Sequence, residues 1–449
     1  MRKFFLLGFV GFTILAAYWL MRVLKLAIFF KVAFPEQLGW APEQGALLQP
    51  AAKTWTPFVV LCIVLAYSKL VDLVKKHQLF YIVCTIYATI FCAAAAVLWL
   101  RDLYGPVFLG KSTLAALGWV IFFAVESFGA LVVSLFWSFI SSITDTQSAE
   151  RGYPLVFAIA QIGAIFGSSV VICSGSVGGL WPLMVLVVLL VSCVPLLIYY
   201  FMRTTPPHEL VGNKIALQTE RRHDGFLEGF FSGLKLLFTR PYLFAILIIS
   251  TFDGIAMIIL EYQMDKRAAC SVYFNTEIGF CRFQGLVGFG SGLLAFFVVL
   301  LGTSRIIKLL GFRLSLFVYP IIFGSLFSLL LAVFWVDFFS SDQLMWLFFG
   351  AILILKAISY AFNNPLKEMM YIPTSKDVKF KSKGWIDTFG SRFTKAAGAQ
   401  ITGFYKHNLA ELMLFGSLVS LGLIGFWLLA ALYVGLKHRW LIKNEAIVE

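Results

Sequence analysis

Charge is what this chain has least of. Only 13% of its 449 residues are Asp, Glu, Lys or Arg, against roughly a quarter in an ordinary soluble domain, and 60% are hydrophobic. Such a composition excludes a soluble globular protein. The period-two alternation of a membrane barrel is missing too, which leaves helices to satisfy backbone groups in lipid. No Gly-rich loop ending in G-K-[ST] and no H-E-x-x-H occurs, and histidines number five. Machinery for nucleotide hydrolysis or a catalytic metal is therefore not visible, and the chain predicts neither an enzyme nor a cofactor. Seven cysteines are scattered without metal spacing. Cys62, Cys84, Cys92, Cys173 and Cys193 are expected to pack as small hydrophobes. Cys270 and Cys281 fall in what reads as an outer loop, where a disulfide is left open.

What the chain has is a succession of apolar runs long enough to cross a bilayer as helix. They predict an all-α polytopic membrane protein of about twelve spans: 4–33, 57–71, 79–100, 113–140, 153–175, 181–202, 241–262, 284–303, 313–336, 342–366, 386–404 and 411–436. The basic start of the first run imitates a signal peptide, but the run is too long and lacks a small-residue cleavage site, so it is expected to stay as span one. No Ser/Arg-rich transit stretch is seen, which favours a bacterial inner membrane. The net charge of +13 sits in short loops, around Lys69, Lys75 and Lys76, then Arg203 to Arg240, then Arg305, Lys308 and Arg313, then Lys376 to Lys383, and in the tail. This is the positive-inside pattern of a protein with both termini cytoplasmic, and not a nucleic-acid surface.

The longest polar segment, with Pro206, Pro207 and Gly212 as helix breakers, separates two six-helix halves. The expected organisation is residues 1–202, a cytoplasmic linker 203–240, residues 241–436, and a tail 437–449. A faint repeat agrees: YSKLVDLVKKHQLF follows span two and GTSRIIKLLGFRLSLF follows span eight. Both look like degenerate forms of the loop motif of the major facilitator fold, which places a substrate site between two halves near the midplane.

Ionisable groups inside such runs are costly unless they pair or meet a ligand. In span four, Glu126 heads a stripe of small and polar residues. In span seven, Asp253 and Glu261 are eight positions apart, within about 80° around a helix. Arg22 and Lys25 lie near the outer end of span one, where they either snorkel or meet an anion. Span ten carries Lys356 and, at its inner end, Lys367. Arg392 and Lys395 follow in span eleven. Cations from both halves suit a di- or triphosphate, since Arg forks match phosphate oxygens and Lys acts as a point charge. Gln161 in span five offers a donor and an acceptor to a base or ribose, beside Gly163 and Gly167, which read as packing residues. Asp387, Asp253 and Glu368 are candidates for gating or coupling, and Glu126, Asp253 and Glu261 are candidate proton carriers.

One stretch carries a family resemblance. NNPLKEMMYIPTSKDVKFKSKGWIDTFGSRFTKAAGA, residues 363–399, resembles the signature of the nucleotide transporters of the ATP:ADP antiporter type found in intracellular bacteria and plastids. FFAVESFGALVVSLFWSF, followed by AERGYPL, is similar to a second motif of that family. The resemblance implies nucleotide transport by alternating access, with Lys25, Glu126, Glu261 and Lys367 at the family's important charged positions. It departs in span one, where a family R-D-x-K-D pattern stands here as Arg22-Val-Leu-Lys25-Leu, keeping both cations and losing both aspartates. The expected partners are a nucleotide such as ATP or ADP, the bilayer and protons as a coupling ion, with the chain a monomer. Alternatives carried forward are proton-linked net import, transport of another phosphorylated anion or a dinucleotide, and a membrane receptor that no longer transports.

Overall fold

Lipid offers a backbone no partner, so each apolar run closes its own hydrogen bonds as helix. The computed structural model describes residues 2–206 and 234–447, apart from 75, 145, 177, 301–302, 337–338, 376–377, 379–381, 384, 387–389 and 445. Most of the expected linker 203–240 thus lies outside the described residues.

The helices are α1 (Arg2–Ala27), continued by a π-helical turn over Ile28–Val32, α2 (Gln44–Leu73), α3 (Lys76–Tyr104), α4 (Pro106–Ser142), α5 (Thr146–Ile172) and α6 (Leu180–Thr204). There follow α7 (Pro241–Cys270), α8 (Glu277–Leu300), α9 (Thr303–Trp335), and α10 (Ser341–Ile358), which runs through a second π-helical turn, Ser359–Asn363, into α11 (Asn364–Met370). The last two are α12 (Ser391–Phe404) and α13 (Leu409–Lys443). No β-strand occurs among the described residues. Eleven of the described helices are long and apolar enough to cross a membrane. At the place of the expected eleventh span stands the 14-residue α12.

Local chemistry sets several ends. Ser340 and Gln343 form a reciprocal capping box at the start of α10, and Asn408 caps α13 by accepting from the Ala410 and Glu411 amides. Gly311, at φ 73°, separates the basic first turns of α9 from its apolar span, a left-handed conformation that glycine adopts without a steric cost.

The helices also exceed their sequence limits. α7 does not stop near 262 but runs on to Cys270, carrying Asp265, Lys266 and Arg267 into buried surroundings. Cys270 and Cys281 are therefore helical, not in an outer loop, and both remain thiols. Of the five cysteines expected in the core only Cys84 is buried, and the other four are exposed. An apolar thiol on the outside of a span suits hydrocarbon as well as a core does.

The chain divides into two compact units, described separately. The first comprises Met1–Leu48, Phe58–Arg222 and Val272–Gly292. In it α1 packs on α4, α5 and α6, and α3 on α4 and α6. Gly163 and Gly167 of α5 let it lie directly against the α1 backbone: a Cβ on Gly163 would lie 2.3 Å from the Phe12 carbonyl oxygen, and one on Gly167 2.2 Å from that of Ala16. The second unit comprises Gln49–Pro57, His223–Ser271 and Leu293–Glu449. There α7 is central, against α10, α11, α12 and α13, and α9 packs on α10 and α13.

Candidate functional site: lysine–carboxylate pairs within each unit

In the first unit Lys25, on the last turns of α1, meets Glu126 of α4 at 2.5 Å. The lysine side chain is 7% exposed and the glutamate 24%. Phe122, one turn before Glu126, lies under the ammonium at 4.6 Å, a cation–π contact that holds the charge where water is scarce. Arg22, one turn earlier on α1, is half-buried and stacks on Trp19 at 5.0 Å. Gln161 is exposed on α5.

The second unit holds two such pairs, both between α7 and the α10–α11 rod. Glu261 meets Lys356 at 2.9 Å, with side chains 16% and 13% exposed. Asp253 meets Lys367 at 3.2 Å, with side chains 13% and 19% exposed, and Lys367 also donates to the Ser250 carbonyl. The later carboxylate takes the earlier lysine, so the two elements run antiparallel. Glu261 is not at a helix end, because α7 continues past it to Cys270. Its lysine partner was visible in the sequence only as a further cation.

The register of these pairs depends on the π turn between the lysines. Lys356 and Lys367 are eleven positions apart, which in a continuous α-helix is a rotation of about 20°. A π turn takes up one extra residue, leaving the rotation of ten α residues, about 80°. That matches the 80° or so between Asp253 and Glu261. Pro365 supplies the cause: it has no N–H to give, and its ring would strike the carbonyl four residues back in an α-helical turn. The π turn after α1, Ile28–Val32, likewise precedes a proline, Pro35, and follows the paired Lys25. Tyr319 of α9, 1% exposed, bonds Ser359 at the start of the second π turn and packs on Trp427 and Phe323.

The remaining sequence candidates separate. Glu368 pairs with Lys383 at 2.7 Å, but their side chains are 57% and 30% exposed. Arg392 is half-buried and Lys395 exposed on α12. Asp387 lies outside the described residues. A cluster that sequence reasoning missed is Asp265, Lys266 and Arg267, at most 6% exposed. Lys266 donates to the Lys406 carbonyl, Arg267 donates to the Gln263 carbonyl and lies over Phe348, and Asp265 accepts from Gln49 at 3.4 Å. Three successive charges after an apolar run read as a loop, and only tertiary partners make them helical and buried. No group of three or more metal-ligating side chains occurs among the described residues.

Comparison with known proteins gives the family. The family model described as TLC ATP/ADP transporter matches residues 1–440. The chain is 26% identical to ADP,ATP carrier protein 2, chloroplastic, of Arabidopsis thaliana, over 100% of this chain and 76% of the relative. It is also 26% identical to ADP,ATP carrier protein 1 of Chlamydia pneumoniae, over 87% of this chain and 84% of the relative. Among solved structures, a mutant of the nucleoside transporter NupG has a TM-score of 0.62 at 14% identity, over 96% of this chain and 98% of that one. A POT family transporter in complex with 5-aminolevulinic acid has a TM-score of 0.64 at 13% identity, over 96% of both. At such identities these structures speak to the fold alone, which is that of the major facilitator type. By the match along nearly its whole length, this chain belongs to the TLC ATP/ADP transporter family.

Proposed function

We propose that this chain carries adenine nucleotides across a membrane, exchanging ATP for ADP by alternating access, and that lysine–carboxylate pairs are the switchable elements of its site. The observation that carries the reading is the set of three pairs inside apolar helices: Lys25–Glu126, Lys356–Glu261 and Lys367–Asp253. A buried pair is weak evidence for stability, because desolvation offsets most of its attraction. Such pairs have a use when a ligand takes over one partner. A phosphate group arriving at Lys25, Lys356 or Lys367 replaces the carboxylate's negative charge with its own, so the ammonium is never left bare. The released Glu126, Glu261 or Asp253 is then available to a substrate hydroxyl or amine, or to a proton. Exchange follows naturally, since departure of one polyphosphate and arrival of another leave the lysines compensated at each end of the cycle.

Nothing in this cycle requires covalent chemistry, and the chain acts as a carrier, not an enzyme. Arg22, one turn before Lys25 on α1, adds a planar donor fork for phosphate oxygens. The loss of both aspartates from the span-one pattern makes that end of the site more positive. Arg392, Lys395, Gln161, Glu368 and Asp387 stay as contacts or gate residues of lower rank, behind the three pairs. The basic loops favour cytoplasmic termini, the bacterial relatives favour a bacterial inner membrane, and a monomer suffices.

The test is a binding titration of the purified chain with ATP, ADP, AMP and adenosine at two salt concentrations. Affinity should rise with each phosphate added and fall with salt, and Lys356→Gln or Lys367→Gln should abolish the gain from the terminal phosphates. Adenosine binding as tightly as ATP would remove the phosphate role given to the lysines.

A further inference from the structure

Between the two ion pairs of the second unit lies a polar group that those pairs do not use. Asn363 closes the π turn, is 4% exposed, and its carboxamide Nδ2 is buried without a hydrogen-bond partner. It stands four positions before Lys367, so the two residues lie on one face of the rod, one turn and about 6 Å apart. A buried donor left unmade costs free energy that an apolar side chain there would not, and each such group in a folded protein calls for an explanation. π turns recur at functional positions, and this one is fixed by Pro365.

We propose that Asn363 is a specificity-determining residue that reads the base of the nucleotide while Lys356 and Lys367 hold its phosphates; this rests on the nucleotide-transport reading above. A carboxamide presents a donor beside an acceptor. The adenine edge formed by N7 and the N6 amine presents an acceptor beside a donor, so Nδ2 donates to N7 and Oδ1 accepts from N6. Guanine offers two acceptors along the same edge, N7 and O6, and turns its O6 lone pairs against Oδ1. Pyrimidines lack that edge. Asn363 therefore favours adenine, and its buried Nδ2, which has no partner within the protein, is the donor of this pairing.

The experiment uses proteoliposomes containing the full chain and preloaded with ADP. Uptake of labelled ATP is measured against increasing unlabelled ATP, GTP, UTP and inorganic pyrophosphate, for the native chain, Asn363→Ala and Asn363→Asp. The ratio of inhibition by ATP to that by GTP is read within each variant, so it does not depend on how much protein folds. The same competition read as binding to purified chain covers a variant that turns over slowly. The native chain should prefer ATP to GTP, and both variants should lose about tenfold or more of that preference, with inhibition by pyrophosphate unchanged. An ATP-to-GTP ratio unaltered in both variants would overturn the role of Asn363 while leaving nucleotide transport intact. A native chain that neither binds nor moves any nucleotide, yet is correctly folded, would instead overturn the reading on which the inference rests.

Discussion

Lys25 illustrates why a charge in an apolar helix has to be judged with its neighbours. Replacing Glu126 by Gln removes the carboxylate from a lysine that is 7% exposed, and breaking a buried pair on one side costs about 3–5 kcal/mol. The expected result for Glu126→Gln is a lower Tm and lost exchange. Lys25→Met combined with Glu126→Leu should recover most of the Tm and none of the transport, because apolar replacement of both partners is close to neutral for stability. A double variant that still exchanges nucleotide would assign the pair to packing alone. In the second unit, Lys356→Glu with Glu261→Lys keeps the pair but moves the cation to α7. It should fold with a near-native Tm and bind ATP more weakly, as a titration would show.

The individual charges were legible in the sequence: Lys25, Glu126, Asp253, Glu261 and Lys367 stand out because the residues around them are apolar. Their pairing was not, since the partners are about a hundred positions apart in the chain and meet only through packing. Lys356 looked like one cation among several until α7 brought Glu261 to it. Asn363 gave no signal, because an amide beside a second asparagine and a proline reads as a helix end. It becomes informative only once its donor is found buried.

At the scale of elements, two features carry the geometry. The α1–α5 contact depends on glycine, with room for no Cβ beside the Phe12 and Ala16 carbonyls. Gly167→Val forces these helices apart, and overpacking of this kind costs about 1–3 kcal/mol, to be seen as a fall in Tm larger than for Gly422→Ala, where a Cβ meets nothing within 4 Å. The other feature is the π turn at Ser359–Asn363. Replacing Pro365 by Ala should let all eleven residues take α spacing and rotate Lys367 by about 100° away from Asp253, leaving Lys356 on Glu261. Cysteines placed at 253 and 367 should cross-link with a short reagent in the native chain and fail to do so in the Pro365→Ala background. Equal cross-linking in both would show that the π turn does not set the register. The small-residue spacing of α5 could be read in advance. The π turns could not, although a proline follows each of them, because a proline near the end of an apolar run ordinarily signals only that the helix stops. The length of α7 was underestimated for a similar reason: Asp265, Lys266 and Arg267 look like solvent, and the Lys406 carbonyl and the Phe348 ring that accommodate them are distant in sequence.

For the whole molecule, the scarcity of charge points to the class, and the few charges present carry the proposed chemistry. The helical membrane fold followed from composition and run length, and the family from a polar motif that a span would not otherwise tolerate. The central claim is that occupied lysines are handed from one polyphosphate to another. It is tested most directly by uptake of labelled ATP into proteoliposomes that are either empty or preloaded with ADP, with and without an inward proton gradient. The account predicts rapid uptake into preloaded vesicles, little into empty ones, and no dependence on the gradient. Uptake into empty vesicles that rises with the proton gradient would contradict it, and would make the carboxylates proton carriers in a net importer.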